Sequence, residues 1–97
     1  MRLVWQDHAR TELREATRYY RDNAGYSIAG DFRDAAIHAA ERLPDYPEMG
    51  LRISHNARRV PLRDYPYSLI YRVEVSGIVI VALAHQLRRP DYWVGRR

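Results

Sequence analysis

The chain has 97 residues, 46% hydrophobic and 29% charged, with a formal charge of +4, a length that holds one small globular domain and leaves no room for a second. Eight tyrosines and only ten Gly plus Pro residues argue against disorder, and the absence of cysteine excludes a disulfide framework, a thiol nucleophile and any thiolate metal site. The longest apolar run, Ile78 to Ala84, is too short for a bilayer and Met1 to Asp7 lacks a signal peptide's hydrophobic core, so a soluble cytoplasmic protein is expected.

Leu3-Val4-Trp5 is a short apolar run ended by Gln6-Asp7, which predicts a first strand with Asp7 as a helix N-cap. Ala9, Leu13, Ala16 and Tyr20 then recur at the spacing of one buried helical face, and Asn23-Ala24-Gly25 supplies the stop. Arg10, Arg14, Arg18 and Arg21 line one flank of that stripe, with Glu12, Glu15 and Asp22 on the other. A charged flank of this kind is ordinarily a solvated surface.

A second helix is expected from about Ser27 to Leu43, because Ile28, Phe32, Ala36, Ala39 and Leu43 repeat at helical spacing. Its alanines at 35, 36, 39 and 40 suit close packing on a neighbour, and the short Gly-containing turn suggests an antiparallel pair. Pro44, Pro47 and Gly50 break the pattern into a loop.

Beyond Gly50 the period changes to two. Arg59-Val60-Pro61-Leu62-Arg63 alternates, and Pro61 places it at an edge or bulge because proline has no N–H for a ladder. Tyr67, Leu69, Tyr71, Val73 and Val75 alternate with more polar neighbours, Ser76-Gly77 signals a hairpin, and Ile78 to Ala84 suits a central strand. The expected class is α+β in the order β-α-α-β-β-β, two antiparallel helices packed against a small, mainly antiparallel sheet. Residues 1–97 form one domain in this reading, with 88–97 as a basic and aromatic tail.

Charge is unevenly divided. Residues 1–50 hold seven arginines and nine acids, a balance of −2, whereas residues 51–97 hold nine arginines and three acids, a balance of +6. All sixteen cationic residues are arginine, the side chain suited to bidentate contact with phosphate or carboxylate. His8, His38 and His55 lie on separate elements without metal-ligand spacing, so neither a metal nor another cofactor is expected.

This element order, with Leu43-Pro44-Asp45-Tyr46-Pro47-Glu48-Met49-Gly50 closing the second helix, resembles the RelE/ParE superfamily of type II toxin-antitoxin toxins. The segment from Arg58 to Arg72 and the ending His85-Gln86-Leu87-Arg88-Arg89-Pro90-Asp91-Tyr92-Trp93 resemble the subgroup described as plasmid stabilisation proteins. The resemblance implies a bacterial growth inhibitor neutralised by a cognate, acidic antitoxin encoded beside it. Its target would be DNA gyrase for a ParE-like member, or the ribosome with its mRNA for a RelE-like one.

Metal-free RNA cleavage needs a base for the 2′-hydroxyl, an acid for the leaving oxygen and cations beside the phosphate. His85, Arg59, Arg89 and Tyr92 are the candidates for a RelE-like catalytic site, with His85 as base or acid and the arginines on the phosphate. Arg58, Arg59, Arg88, Arg89 and Trp93 are the candidate target-binding residues, with Trp93 also suited to packing over the sheet. RelE itself carries an arginine used in cleavage at the position matched by Ser68, a departure that favours ParE-like gyrase inhibition. The alternatives are a ribosome-dependent mRNA endonuclease, or a homologue of reduced toxicity acting as a binding module.

Overall fold

In the computed structural model, which describes residues 1–96, the elements follow in the order β1 (Arg2–Trp5), α1 (Asp7–Ala24), α2 (Tyr26–Glu41), β2 (Leu51–Arg52), β3 (Arg58–Pro61), β4 (Tyr67–Glu74) and β5 (Gly77–His85). Arg97, at the end of the expected tail, lies outside the described residues. One sheet holds all five strands in the order β1-β5-β4-β3-β2. β1 runs parallel to β5 and every other pair is antiparallel.

The N-cap of α1 is Gln6, not the expected Asp7. The Gln6 N–H donates to Ile80 C=O at 3.0 Å, which extends the β1 pairing by one residue and delays the helix. Asp7 becomes the first helical residue, where its carboxylate faces the positive end of the helix and pairs with Arg10 at 2.6 Å. At the other end Gly25 adopts φ 94°, a conformation costly for any residue with a Cβ, and turns the chain directly into α2.

α2 buries Ala29, Phe32, Ala36 and Ala40, followed by Leu43, and leaves Ile28 41% exposed. The expected stripe thus fails at Ile28, whereas Ala39 packs partly buried against the same core. Small side chains at the contact let two helices approach closely, whereas Ile28 would hold them apart.

β2 is a two-residue strand that the sequence pattern does not announce. It pairs Leu51 with Arg59 and Arg52 with Arg58, so β3 is a true edge only past Arg59. Leu62 N–H donates to Tyr67 C=O at 2.8 Å, and strand alternation turns the Pro61 nitrogen outward, where its missing proton costs no ladder bond.

The hairpin loop between β4 and β5 is Val75-Ser76, one residue earlier than expected, because Gly77 already pairs with Glu74. Gly77 is required on two counts: its φ of 146° disfavours any residue with a Cβ, and a Cβ there would collide with the Arg2 backbone of β1. β4 and β5 keep register except at Ile70/Tyr71, where Val81 is an extra residue on β5 between partners Ile80 and Ala82.

Both faces of the sheet are covered. On one, the helices contribute Ala9, Ala16, Phe32, Ala36 and Ala40 to a core with Leu69, Tyr71, Ile78, Ile80 and Leu83. On the other, a smaller cluster joins Ala57, Ile70, Val81 and Ala82 to Trp93 from the C-terminal segment. The buried Tyr71 hydroxyl donates to Pro47 C=O at 2.8 Å and accepts from Gly50 N–H at 2.9 Å, which fixes the loop after α2. A Cβ on Gly50 would press on the Tyr71 ring and the Arg59 carbonyl. Among the described residues no helix is long and apolar enough to cross a membrane.

Candidate functional site

The ends of β3, β4 and β5 and the segment after β5 enclose an open groove of about 320 Å³. Arg59, Ser68, His85, Arg88, Arg89 and Tyr92 lie along it, so four expected catalytic residues from three stretches of chain meet at one place. The groove opens mainly on the sheet face away from the helices, with Ile70 and Trp93 in its floor.

Arg58 and Arg59 are adjacent on a strand and therefore face opposite sides. Arg59 lies across from Ile70 on the groove side, and its Nη1 is 3.3 Å from Ser68 Oγ. A guanidinium from β3 thus stands beside the small hydroxyl of β4. Arg58 is on the helix side and donates to the carbonyls of Gly50 at 2.8 Å and Glu48 at 3.3 Å. Its charge secures the loop rather than lining the groove.

His85 sits at the last position of β5, opposite Tyr67. Its ring meets the Tyr67 ring edge-on at 4.9 Å, and Nδ1 accepts the Leu87 N–H at 3.0 Å. Accepting at Nδ1 leaves only Nε2 for other chemistry. Tyr67 packs against the helix-side core, so the imidazole leans toward that side of the sheet end and borders the groove by its edge.

Tyr92 donates its hydroxyl to Glu12 Oε2 at 2.7 Å. Burial and that carboxylate push the phenol well above its ordinary range, so it stays protonated. Its ring carries the Arg88 guanidinium at 3.8 Å from the centroid, a cation-π contact that draws Arg88 down onto the tail. Arg89 is exposed, and among the described residues no carboxylate pairs with it or with Arg59. Trp93 is 3% exposed, with His55 edge-on against it at 6.1 Å.

Glu12 and Arg96 carry no recognisable signal in the sequence. β1 ends at Trp5, so β5 has an open edge from Val81 onward. Glu12 Oε1 accepts the Leu83 N–H at 3.0 Å and Arg96 Nη1 donates to Val81 C=O at 3.0 Å. The two side chains join through bonds of 2.8 Å and 3.1 Å. This ion pair substitutes for a missing strand, satisfying one donor and one acceptor that would otherwise be left bare. Spacing gives no hint of it, because the partners are 84 residues apart.

Chemically, the groove offers Arg59 and Arg89 for an anion, a hydroxyl at Ser68 and one imidazole nitrogen. Among the described residues, no three His, Asp or Glu side chains gather in an arrangement that could hold a metal ion.

Residues 3–90 match the family model described as ParE toxin of type II toxin-antitoxin system, parDE. A solved structure titled "Chromosomal ParDE TA system from P. aeruginosa" superposes with a TM-score of 0.79 at 20% sequence identity, covering 88% of this chain and 95% of that one. A comparison with curated proteins finds no match. At that identity the superposition speaks for the fold, two helices on a five-stranded, mostly antiparallel sheet. The family match reaches from within β1 through the end of β5, and on it the chain belongs to the ParE toxin family within the RelE/ParE superfamily.

Proposed function

We propose that this chain is the toxin of a type II toxin-antitoxin pair, that it arrests growth by inhibiting DNA gyrase rather than by cutting mRNA, and that a cognate acidic antitoxin neutralises it. The observation that carries the choice of target is the disposition of the acid-base groups. Cleavage needs two proton-transfer groups on opposite sides of a phosphate. Tyr92 is held protonated by Glu12, and His85 leans on Tyr67 with Nδ1 occupied. Neither faces the other across Arg59 and Ser68. Binding to a protein target needs only the shape and charge of the groove, where Arg59 and Arg89 supply unpaired cations.

The pairing with an acidic antitoxin rests on the +6 balance of residues 51–97, which would steer an acidic peptide toward this side and be screened by salt. The test is a supercoiling assay and a ribosome cleavage assay on one preparation of the purified chain. Supercoiling should stop while mRNA on translating ribosomes stays intact, and His85→Ala should leave gyrase inhibition in place. Codon-specific cuts that fall by about 10²–10⁴-fold in His85→Ala would instead establish the nuclease. Active gyrase together with intact mRNA at excess protein would point to a homologue of reduced toxicity.

A further inference from the structure

β2 and β3 carry a cross-strand pair that their own chemistry does not favour. Arg52 lies directly opposite Arg58, and opposed residues share a face with Cβ atoms about 5 Å apart, where like charges destabilise the pairing. Among the described residues no carboxylate pairs with either guanidinium. Arg58 commits Nη1 to the carbonyls of Gly50 and Glu48, which holds the side chain in place and leaves Nε and Nη2 as donors. Two cations that repel each other are thus fixed side by side.

The pair borders a cleft of about 470 Å³, lined by the loop after α2, the β2–β3 ribbon and Val73 of β4. Val73 marks where the helices cease to cover the sheet: it shares a face with the fully buried Tyr71, yet is 41% exposed. Pro47, Ile53 and Val73 give the cleft apolar walls, and among the described residues Glu48 is the only acid lining it. One carboxylate against two guanidiniums leaves the cleft cationic, and its volume lies in the range of small-molecule sites.

We propose that this cleft binds a small phosphate monoester, with Arg52 and Arg58 both donating to its phosphoryl oxygens and the organic part lying against Pro47, Ile53 and Val73. A carboxylate presents two oxygens and answers one guanidinium fork, whereas a phosphoryl group presents three around a tetrahedral centre and can take both forks at once. The bound anion also relieves the repulsion that the free chain carries between β2 and β3. Nucleic acid would bring its phosphates as diesters on a continuous backbone and leave the apolar walls without a role. The site is separate from the groove at Arg59, which lies on the other face of β3, and it does not depend on whether gyrase is the target.

The probes are AMP, inorganic phosphate, adenosine and a short DNA duplex, each titrated into the full chain at fixed ionic strength and followed by amide and arginine side-chain NMR signals. AMP and inorganic phosphate should shift the signals of Glu48, Arg52 and Arg58, AMP at lower concentration, and adenosine should not. Arg52→Gln should weaken both by roughly tenfold or more. Glu48→Gln, which removes the opposing charge, should tighten both, and Arg59→Gln/Arg89→Gln should leave them unchanged. Without ligand, Arg52→Gln should melt no lower than the parent chain, because it removes one of two opposed like charges. No binding of AMP, binding that survives Arg52→Gln, or binding lost in Arg59→Gln/Arg89→Gln would overturn the proposal. So would a DNA duplex that binds at these residues while AMP does not, or a lower melting temperature in Arg52→Gln, which would mean that its guanidinium serves a contact within the chain.

Discussion

Behind the sheet, two helices bury Phe32, Leu43 and a line of alanines against Leu69, Tyr71 and Ile80. In front of it, five buried residues centred on Trp93 are held down by a terminal segment with no regular structure of its own. The helix side is supported by apolar periodicity spread over 34 helical residues, so no one contact decides it. The tail side depends on one indole and on the Glu12, Tyr92 and Arg96 bonds that anchor its end. The groove with Arg59 and Arg89 therefore rests on the less redundant half of the molecule, as binding surfaces often do.

The largest expected effect on this contrast is at Trp93. Trp93→Ala should lower stability by about 4 kcal/mol, read from the urea midpoint, and should expose the C-terminal segment to proteolysis while helical circular dichroism persists. Simultaneous loss of the helical signal would mean that the two faces form one unit. Glu12→Ala removes the carboxylate partner of the mostly buried Arg96 and should cost about 3 kcal/mol. Adding Arg96→Met should recover part of that loss. If it does not, the pair contributes by satisfying the edge of β5 rather than by its charge.

On the helix side, Tyr71→Phe leaves Gly50 N–H and Pro47 C=O without their partner and should cost about 2 kcal/mol. Hydrogen exchange should quicken in residues 44–50 and stay slow in the tail. The smallest effect has the opposite sign: Gly30→Ala should stabilise the chain by about 0.5–1 kcal/mol, visible as a modest rise in melting temperature.

The helices and the long strands were legible because their signals are repeated: Ala9, Ala16 and Tyr20 on α1, and the alternation from Tyr67 to Tyr71, each restate one period several times. Errors fell where one residue decides. Asp7 looks like a cap, yet β1 continues through Gln6. Ser76-Gly77 looks like a turn, yet Gly77 is needed where β1 passes. The groove was readable as a set of arginines near His85, but the facing of Arg58 and the tie between Glu12 and Arg96 arise only once the strands pair. Distant partners leave no periodic trace, so Glu12 reads as one more solvated helix acid until the open edge of β5 is seen.

Val81 has one further effect. Because Val81 and its neighbour Ala82 both belong to the cluster under Trp93, the bulge gives the tail side two consecutive apolar side chains, while the ladder beyond it keeps its phase, with His85 opposite Tyr67 and Ala84 opposite Ser68. Deleting Val81 would close the bulge into a regular ladder without moving His85 to the Ser68 side, because directly opposed residues share a face of the sheet. Its loss would instead thin the apolar floor beneath the Trp93 indole and leave the imidazole where it stands against Tyr67.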